Sequence, residues 1–293
     1  MSTTNPVAVL ISGPTASGKS AAALDLARER ASVIINADSM QVYRELRILT
    51  ARPSTADEKR APHRLYGHVA ASDAYSVSQW LADVGVAIRD AQHLGQCPII
   101  VGGTGLYFKA LTEGLSPVPA IPDEVRSRWR EEARRHPAGL HEALRQRDPV
   151  MAARLAASDA QRLTRALEVV DATGVSLAEW QSRPGCPLLP ADRCEKWLVV
   201  RSRDDLRQRC NRRFDEMMEM GALDEVRALM QLNVSRELPA MQALGVGPLI
   251  GHIEGRLTRD EAVARAKAET RQYVKRQVTW SRKFMADWRV HGI

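Results

Sequence analysis

Gly13-Pro14-Thr15-Ala16-Ser17-Gly18-Lys19-Ser20, entered from the apolar run Val7-Ala8-Val9-Leu10-Ile11, decides the fold. The octapeptide fits G-x-x-x-x-G-K-[ST]. In that pattern glycines let successive backbone N–H groups converge on one anion, the lysine adds a mobile charge, and the final hydroxyl can ligate Mg²⁺. Such a loop joins a strand to a helix, so the apolar run reads as a strand and the segment from about Lys19 to Arg30 as a helix. A glycine-rich turn without a ligand is the alternative. The motif alone does not disclose whose phosphate it holds.

Outward from the cradle the alternation continues. Ser32-Val33-Ile34-Ile35-Asn36-Ala37-Asp38 reads as a second strand, and Pro98-Ile99-Ile100-Val101 as another, ending in Gly102-Gly103-Thr104-Gly105. Strands alternating with helices imply an α/β, P-loop NTPase-like parallel sheet flanked by helices, with ligands gathered at the carboxyl ends of the strands. Asp38 and Thr104 then fall beside the cradle. The pattern stops at Ser116-Pro117-Val118-Pro119-Ala120-Ile121-Pro122 and again at Pro184-Gly185-Cys186-Pro187-Leu188-Leu189-Pro190. Between these seams the chain reads as helices, including one opened by a Ser158/Gln161 capping box, with Leu163, Ala166, Leu167 and Val170 on its apolar face and an end near Gly174. Trp197-Leu198-Val199-Val200 resumes the sheet. The expected organisation is a core of residues 1–115 and 192–293 with an inserted all-helical domain of residues 116–191. A last helix is expected from about Arg259 to Trp288. Its apolar stripe is Val263, Ala266, Val274, Val278 and Met285, flanked by Arg271, Lys275 and Arg282 on one side and Arg276 and Lys283 on the other.

The 293 residues carry a formal net charge of +7, a balance that suits a polyanionic partner or a merely basic surface. Cys97, Cys186, Cys194 and Cys210 form no C-x-x-C pair and the histidines no H-E-x-x-H, so reduced, buried thiols are expected and no structural zinc. The N-terminal Met1-Ser2-Thr3-Thr4-Asn5-Pro6 lacks a basic targeting region and no apolar run has membrane-spanning length, which reads as a cytoplasmic protein without a membrane partner.

Hydrolases of this loop class place an acid directly at the end of an apolar strand to hold Mg²⁺ and position water. Here Val101 runs into Gly-Gly-Thr-Gly, and the strand-end carboxylate near the cradle is Asp38. A carboxylate there suits a base that takes a proton from an acceptor near the phosphates, and so favours group transfer. Helix N-cap and magnesium ligand are the other readings of Asp38.

Five segments together resemble the tRNA dimethylallyltransferases across nearly the whole chain: the cradle; Asp38-Ser39-Met40-Gln41-Val42-Tyr43; Gly102-Gly103-Thr104-Gly105-Leu106-Tyr107; Asp159-Ala160-Gln161-Arg162-Leu163 with Arg165-Ala166-Leu167-Glu168; and Arg271-Gln272-Tyr273 with Lys275-Arg276-Gln277 and Thr279-Trp280. The resemblance implies transfer of a dimethylallyl group from dimethylallyl diphosphate to N6 of the adenosine at position 37 of tRNA, beside the anticodon. It implies that Gly13, Pro14, Thr15, Ala16, Ser17, Gly18, Lys19 and Ser20 hold an isoprenoid diphosphate, with Mg²⁺ near Ser20. It makes Asp38 the base, Thr104 a ligand of the reacting diphosphate oxygen and Arg213 a neutraliser of the leaving group. Arg213 as an ordinary surface helix residue is the other reading. It also implies tRNA contacts at Asp38, Ser39, Met40, Gln41, Thr104, Arg126, Gln161, Arg162, Leu163, Thr164 and Arg165, the anticodon stem-loop as partner, and a monomer with no obligate protein partner. An adenosine beside the anticodon has to leave its stack to reach a closed site, and closure also shields an allylic cation from water.

The chain departs from the usual family pattern at Glu45, Arg47, Leu49, Val246 and Ser281. An ATP-dependent small-molecule kinase accounts for the cradle but not for the basic last helix, and a nucleotide-regulated RNA-binding module leaves Asp38 and Thr104 without a task.

Overall fold

The computed structural model describes residues 6–292; residues 1–5, read above for a targeting signal, lie outside them. Among the described residues, β1 (Ala8–Ser12), β2 (Ser32–Asn36), β3 (His63–Arg64), β4 (Cys97–Gly102), β5 (Cys194–Val200) and β6 (Arg289–Gly292) form one all-parallel sheet in the order β3-β2-β4-β1-β5-β6. The helices are α1 (Lys19–Glu29), α2 (Thr55–Arg60), α3 (Val77–His93), α4 (Gly105–Glu113), α5 (Asp123–Arg135), α6 (Leu140–Arg147), α7 (Pro149–Ala152), α8 (Ala160–Thr173), α9 (Leu177–Ser182), α10 (Arg203–Glu219), α11 (Ala222–Gln231), α12 (Val246–Ile253) and α13 (Arg259–Phe284).

β1 is a continuous apolar run because it lies between two strands and under helices on both faces, and its residues are buried throughout. On one face Leu10, Ile35 and Ile100 pack with Trp80, Val84 and Ile88 of α3 and Phe108 and Leu111 of α4; on the other Val9, Ile11, Ile34 and Ile99 pack with Ala23, Leu24 and Leu26 of α1. Trp80 is wholly buried, stacks on Tyr107 with ring centroids 4.3 Å apart and donates its indole N–H to the Asn36 carbonyl at 2.9 Å. Cutting it to alanine removes about 3–5 kcal/mol. A further core gathers Val42, Tyr43, Leu46 and Leu49 against Phe214, Val226, Leu249 and Ala262.

Register sets the site. Ser12 stands opposite Gly102 and Leu198, and Asn36 opposite Val101, so the loops after β1, β2, β4 and β5 leave the sheet at the same edge. Strand order changes direction at β1, which is where an open parallel sheet forms a ligand crevice.

By internal contacts the chain divides into one unit reaching Thr112 and resuming at Leu188, and a second of Glu113–Pro187; the sequence placed these limits at 116 and 191. The second unit is helical, built on Trp129, Leu140, Leu144, Leu163 and Leu167. A Cβ on Gly114 would stand 2.4 Å from the Cys186 amide nitrogen, so the entering and leaving segments cross where only glycine fits.

Four expectations are corrected. The last helix ends at Phe284, and after a turn Arg289–Gly292 pairs with β5 as an edge strand; Met285 and Trp288 join the core without extending the helix. β2 stops at Asn36, leaving Asp38 beyond the strand. α8 is capped by Asp159, whose side chain accepts the Arg162 N–H, so Ser158 and Gln161 form no capping box. Cys186 is exposed, while all four cysteines are free. No helix among the described residues is long and apolar enough to cross a membrane.

Candidate active site at the phosphate cradle

The loop after β1 turns through left-handed conformations at Ala16 (φ 64°) and Gly18 (φ 104°), with the Ser17 N–H donating to the Pro14 carbonyl at 3.1 Å. Its outward carbonyls are held by cations: Arg201 Nε donates to Ser17 O at 2.7 Å and Arg209 Nε to Ala16 O at 2.8 Å. Ala16 also packs with Leu206, Cys210 and Val274, which draws α10 and α13 onto the loop. The buried Ser17 hydroxyl has no protein hydrogen-bond partner, leaving a donor for a ligand oxygen.

Lys19 opens α1 with Nζ 3.4 Å from the Pro14 carbonyl. It keeps some accessible surface, yet burial lowers its pKa to about 8; Arg213 adds repulsion and Asp38 partly restores the charged form. Arg213, half-buried on α10, is lowered by burial as well and has no carboxylate partner among the described residues. Its charge is felt at Lys19, so it lies near the cradle. Lys19 and Arg213, which sense Asp38 and Glu216 but form no ion pair within 4 Å among the described residues, make a site for a multiply charged ligand.

Asp38 is held by its own neighbourhood. Asn36, wholly buried at the end of β2, accepts the Asp38 N–H at 2.8 Å and donates to the Asp38 carbonyl at 2.9 Å, and Asp38 Oδ1 accepts the Met40 N–H at 3.0 Å. This is a turn stabilised by an aspartate, not a helix N-cap, since residues 39–52 contain no helix. Thr104 follows β4. Its hydroxyl accepts the Ser39 N–H at 3.0 Å and donates to Ser39 Oγ at 3.3 Å, while its own N–H reaches the Ala37 carbonyl at 3.3 Å. The Tyr273 hydroxyl on α13 bonds to Thr104; burial, then the Asp38 charge, keep that phenol protonated. Gln41 spends both amide hydrogens on the Thr50 and Ala51 carbonyls, at 2.8 and 3.0 Å, leaving only its oxygen for a ligand. Ser39 and Met40 are half-buried beside them.

Within the second unit Gln161 and Arg162 are exposed and Arg165 half-buried; Arg162 pairs with Asp159 at 3.3 Å and Arg165 with Glu168 at 3.3 Å. Leu163 is wholly buried and the Thr164 hydroxyl bonds back to Ala160 O at 2.8 Å, so these two side chains are committed to the helical core. Arg126 lies 4.0 Å from Asp123 on α5.

Sequence reasoning missed Asn36, the arginines behind the loop and Gln277, and it missed Glu225. The Glu225 carboxylate accepts the N–H groups of Arg47, Ile48 and Leu49 at 2.6, 2.7 and 2.9 Å, clamping the turn after Gln41. The departures have local reasons: Glu45 accepts the Ala71 N–H at 2.8 Å, Leu49 and Val246 are buried, and Ser281 donates to Val278 O at 3.0 Å. Also unforeseen is a cleft of about 490 Å³, whose lining includes Arg236, Arg256, Arg265 and Arg276. Arg201 was legible as the first residue past a strand and Asn36 as the last of one, with its bonds to Asp38 two residues on; Arg209, Gln277 and Glu225 bond to partners far away in the chain.

Residues 41–284 match the family described as IPP transferase, and residues 6–69 match isopentenyl transferase. A tRNA dimethylallyltransferase of Agrobacterium fabrum is 51% identical over 281 residues, covering 96% of this chain and 94% of the relative. That of Methylobacterium nodulans is 55% identical over 285 residues, covering 96% and 94%. Among solved structures, the tRNA isopentenylpyrophosphate transferase of Bacillus halodurans superposes with TM-score 0.68 at 30% identity over 97% of this chain and 89% of that one. A eukaryotic dimethylallyltransferase acting on tRNA gives TM-score 0.81 at 26% identity over 97% and 73%. With the family matched over most of its length and relatives about half identical from end to end, the chain belongs to the IPP transferase family of tRNA dimethylallyltransferases.

Proposed function

We propose that the protein transfers a dimethylallyl group from dimethylallyl diphosphate to N6 of the adenosine at position 37 of tRNA, next to the anticodon, releasing diphosphate. The observation that carries this reading is the placement of Asp38 and Thr104 at the ends of β2 and β4, beside a cradle whose Lys19 senses both Asp38 and Arg213. Leaving-group and acceptor chemistry thus share one edge of the sheet. The Gly102-Gly103-Thr104-Gly105 run puts no carboxylate where a nucleotide hydrolase needs one. The relatives named for dimethylallyl transfer to tRNA support the substrate pair.

In this reading the cradle N–H groups, Lys19 and Arg213 bind the diphosphate and stabilise negative charge as the allylic C–O bond breaks with its electron pair moving to oxygen. Thr104 orients the reacting oxygen. The adenine N6 lone pair forms the new C–N bond, and the N6 proton, acidified as that bond forms, passes to the Asp38 carboxylate. The oxygen chemistry of the loop fits Mg²⁺: Ser20, exposed in the first turn of α1, has no hydroxyl partner among the described residues, and this ion prefers one or two protein oxygens plus substrate phosphate. Ser20 would hold it, and it would supply further neutralisation of the leaving group. Exposed Lys275, Arg276, Arg282 and Lys283 on α13 and the arginine-lined cleft suit the tRNA backbone, and Arg126, Gln161, Arg162 and Arg165 would supply contacts from the second unit.

Pure protein with Mg²⁺, radiolabelled dimethylallyl diphosphate and unmodified tRNA tests this directly. Label should enter tRNA bearing adenosine at position 37 and not tRNA with another base there. No label, together with ATP consumption dependent on a small acceptor, overturns the reading in favour of a kinase.

A further inference from the structure

Gln277 is the polar residue that the mechanism above leaves unused, although it is buried at 9% exposure in the middle of the inward line of α13, among Ala266, Val274 and Ser281. Its amide faces two ways. Gln277 Oε1 accepts the N–H of Thr15 in the cradle at 2.9 Å, and Gln277 Nε2 donates to the carbonyl of Gly103 at 2.9 Å. Thr15 belongs to the loop that holds the leaving group; Gly103 is bonded to Thr104, which in turn holds Ser39 beside Asp38. A Cβ on Gly103 would stand 2.3 Å from Gln277 Nε2, so the close approach depends on glycine at that position. Four residues earlier, on the same face of the helix, Tyr273 bonds to Thr104.

We propose that Gln277 is a positioning residue that sets the spacing between the diphosphate cradle and the Asp38–Thr104 side of the site. The inference rests on the reading given under Proposed function. The bridge needs a donor and an acceptor on one planar group at fixed reach, which glutamine supplies and glutamate, lysine or leucine does not. It also engages the Thr15 N–H, which donates to Gln277 Oε1 and thereby fixes this part of the cradle. Breaking the bridge removes none of the groups assigned above to either substrate but frees the two loops to drift, which loosens the cradle as well as its spacing to Asp38. A misplacement of about an ångström between reacting groups costs roughly a hundred-fold in rate.

Two variants test it. Gln277→Glu keeps the acceptor for Thr15 and loses donation to Gly103; Gln277→Met keeps the volume and loses both bonds. Steady-state transfer, thermal melting and calorimetric binding of inorganic diphosphate in Mg²⁺ buffer are measured for each beside the wild type. The expected result is a fall in kcat of roughly ten-fold or more, with KM for tRNA within about two-fold and melting within a few degrees. Diphosphate affinity should fall roughly five-fold in Gln277→Met, as the Thr15 turn of the cradle loses its anchor. A folded Gln277→Met with kcat within two-fold of wild type overturns the inference, as does a loss carried entirely by KM for tRNA. Failure of both variants to fold also overturns it, by making the role structural. A wild type that binds diphosphate but transfers nothing refutes the proposed reaction alone. The diphosphate comparison then decides for or against Gln277, with unchanged affinity counting against. A wild type that binds no diphosphate removes the cradle and the inference with it.

Discussion

Raising the pH from 7 to 9 should cost about ten-fold in kcat/KM for dimethylallyl diphosphate, because Lys19 loses its proton in the form of the enzyme awaiting that substrate. Burial lowers the Lys19 pKa from 10.5 to about 8. At pH 7 about nine molecules in ten carry the charge, and at pH 9 about one in eleven. A lysine at its ordinary value would lose only a few per cent over that range. The sign for stability runs opposite to that of a salt-bridged base. The charged form is disfavoured in the folded state, so the ligand-free protein carries a penalty below pH 8 that is relieved between about pH 8 and 10.5. For this one group the relief is on the order of 3 kcal/mol. Bound diphosphate supplies the missing counter-charge and raises the pKa again, so kcat at saturation should stay level through pH 9 while kcat/KM falls. The assay is a pH series of initial rates at saturating tRNA for the wild type and for Lys19→Arg, whose guanidinium stays charged throughout. A wild-type kcat/KM that stays flat to pH 9, or an identical fall in Lys19→Arg, refutes the reasoning.

Asp38→Asn keeps the turn acceptor for Met40 and removes the proton acceptor; kcat should fall roughly 10²- to 10⁴-fold while tRNA affinity, read by filter binding, stays within two-fold. Glu225→Ala strips the shared acceptor from three backbone N–H groups and should lower unfolding free energy by about 2–4 kcal/mol at unchanged m in urea titration. An unchanged midpoint would mean that water replaces the carboxylate without loss. Arg276, which lies over the Tyr273 ring at 5.5 Å and has no carboxylate partner among the described residues, should contribute to the salt dependence of tRNA binding. Arg276→Ala should reduce the slope of log affinity against log salt by roughly one, and an unchanged slope would place the RNA elsewhere.

Much of this was legible in the sequence because it is local. The glycine-rich loop is written in eight contiguous residues, and it sits where the motif implies, between the apolar strand β1 and the start of α1. The apolar runs of β1, β2 and β4 announced a sheet buried on both faces, and the Pro-rich seams bracketed the helical unit to within four residues at each limit. The capping residue of α8 and the end of α13 were misread where neighbouring residues offer equivalent local choices: Ser158 and Asp159 can both cap, and nothing between Phe284 and Arg289 is a strong helix breaker. β6 exists only because β5 offers it an edge.

By itself the sequence determined the phosphate cradle, the alternation that makes a parallel sheet and the carboxylate two residues past Asn36, since each is written in adjacent residues whose backbone preferences and burial needs agree. Tertiary structure alone decided which distant groups meet there. The register of β1, β2 and β4 sets Asp38, Thr104 and Lys19 at one edge, α10 brings Arg213 to Lys19, α11 sends Glu225 to the turn at Arg47, and α13 inserts Gln277 between two loops. Those partners are separated by 174 to 262 positions in the case of the Gln277 and Glu225 bonds, and no local propensity records such a pairing. It arises because burying the apolar faces of the helices leaves one arrangement in which their polar side chains are also satisfied.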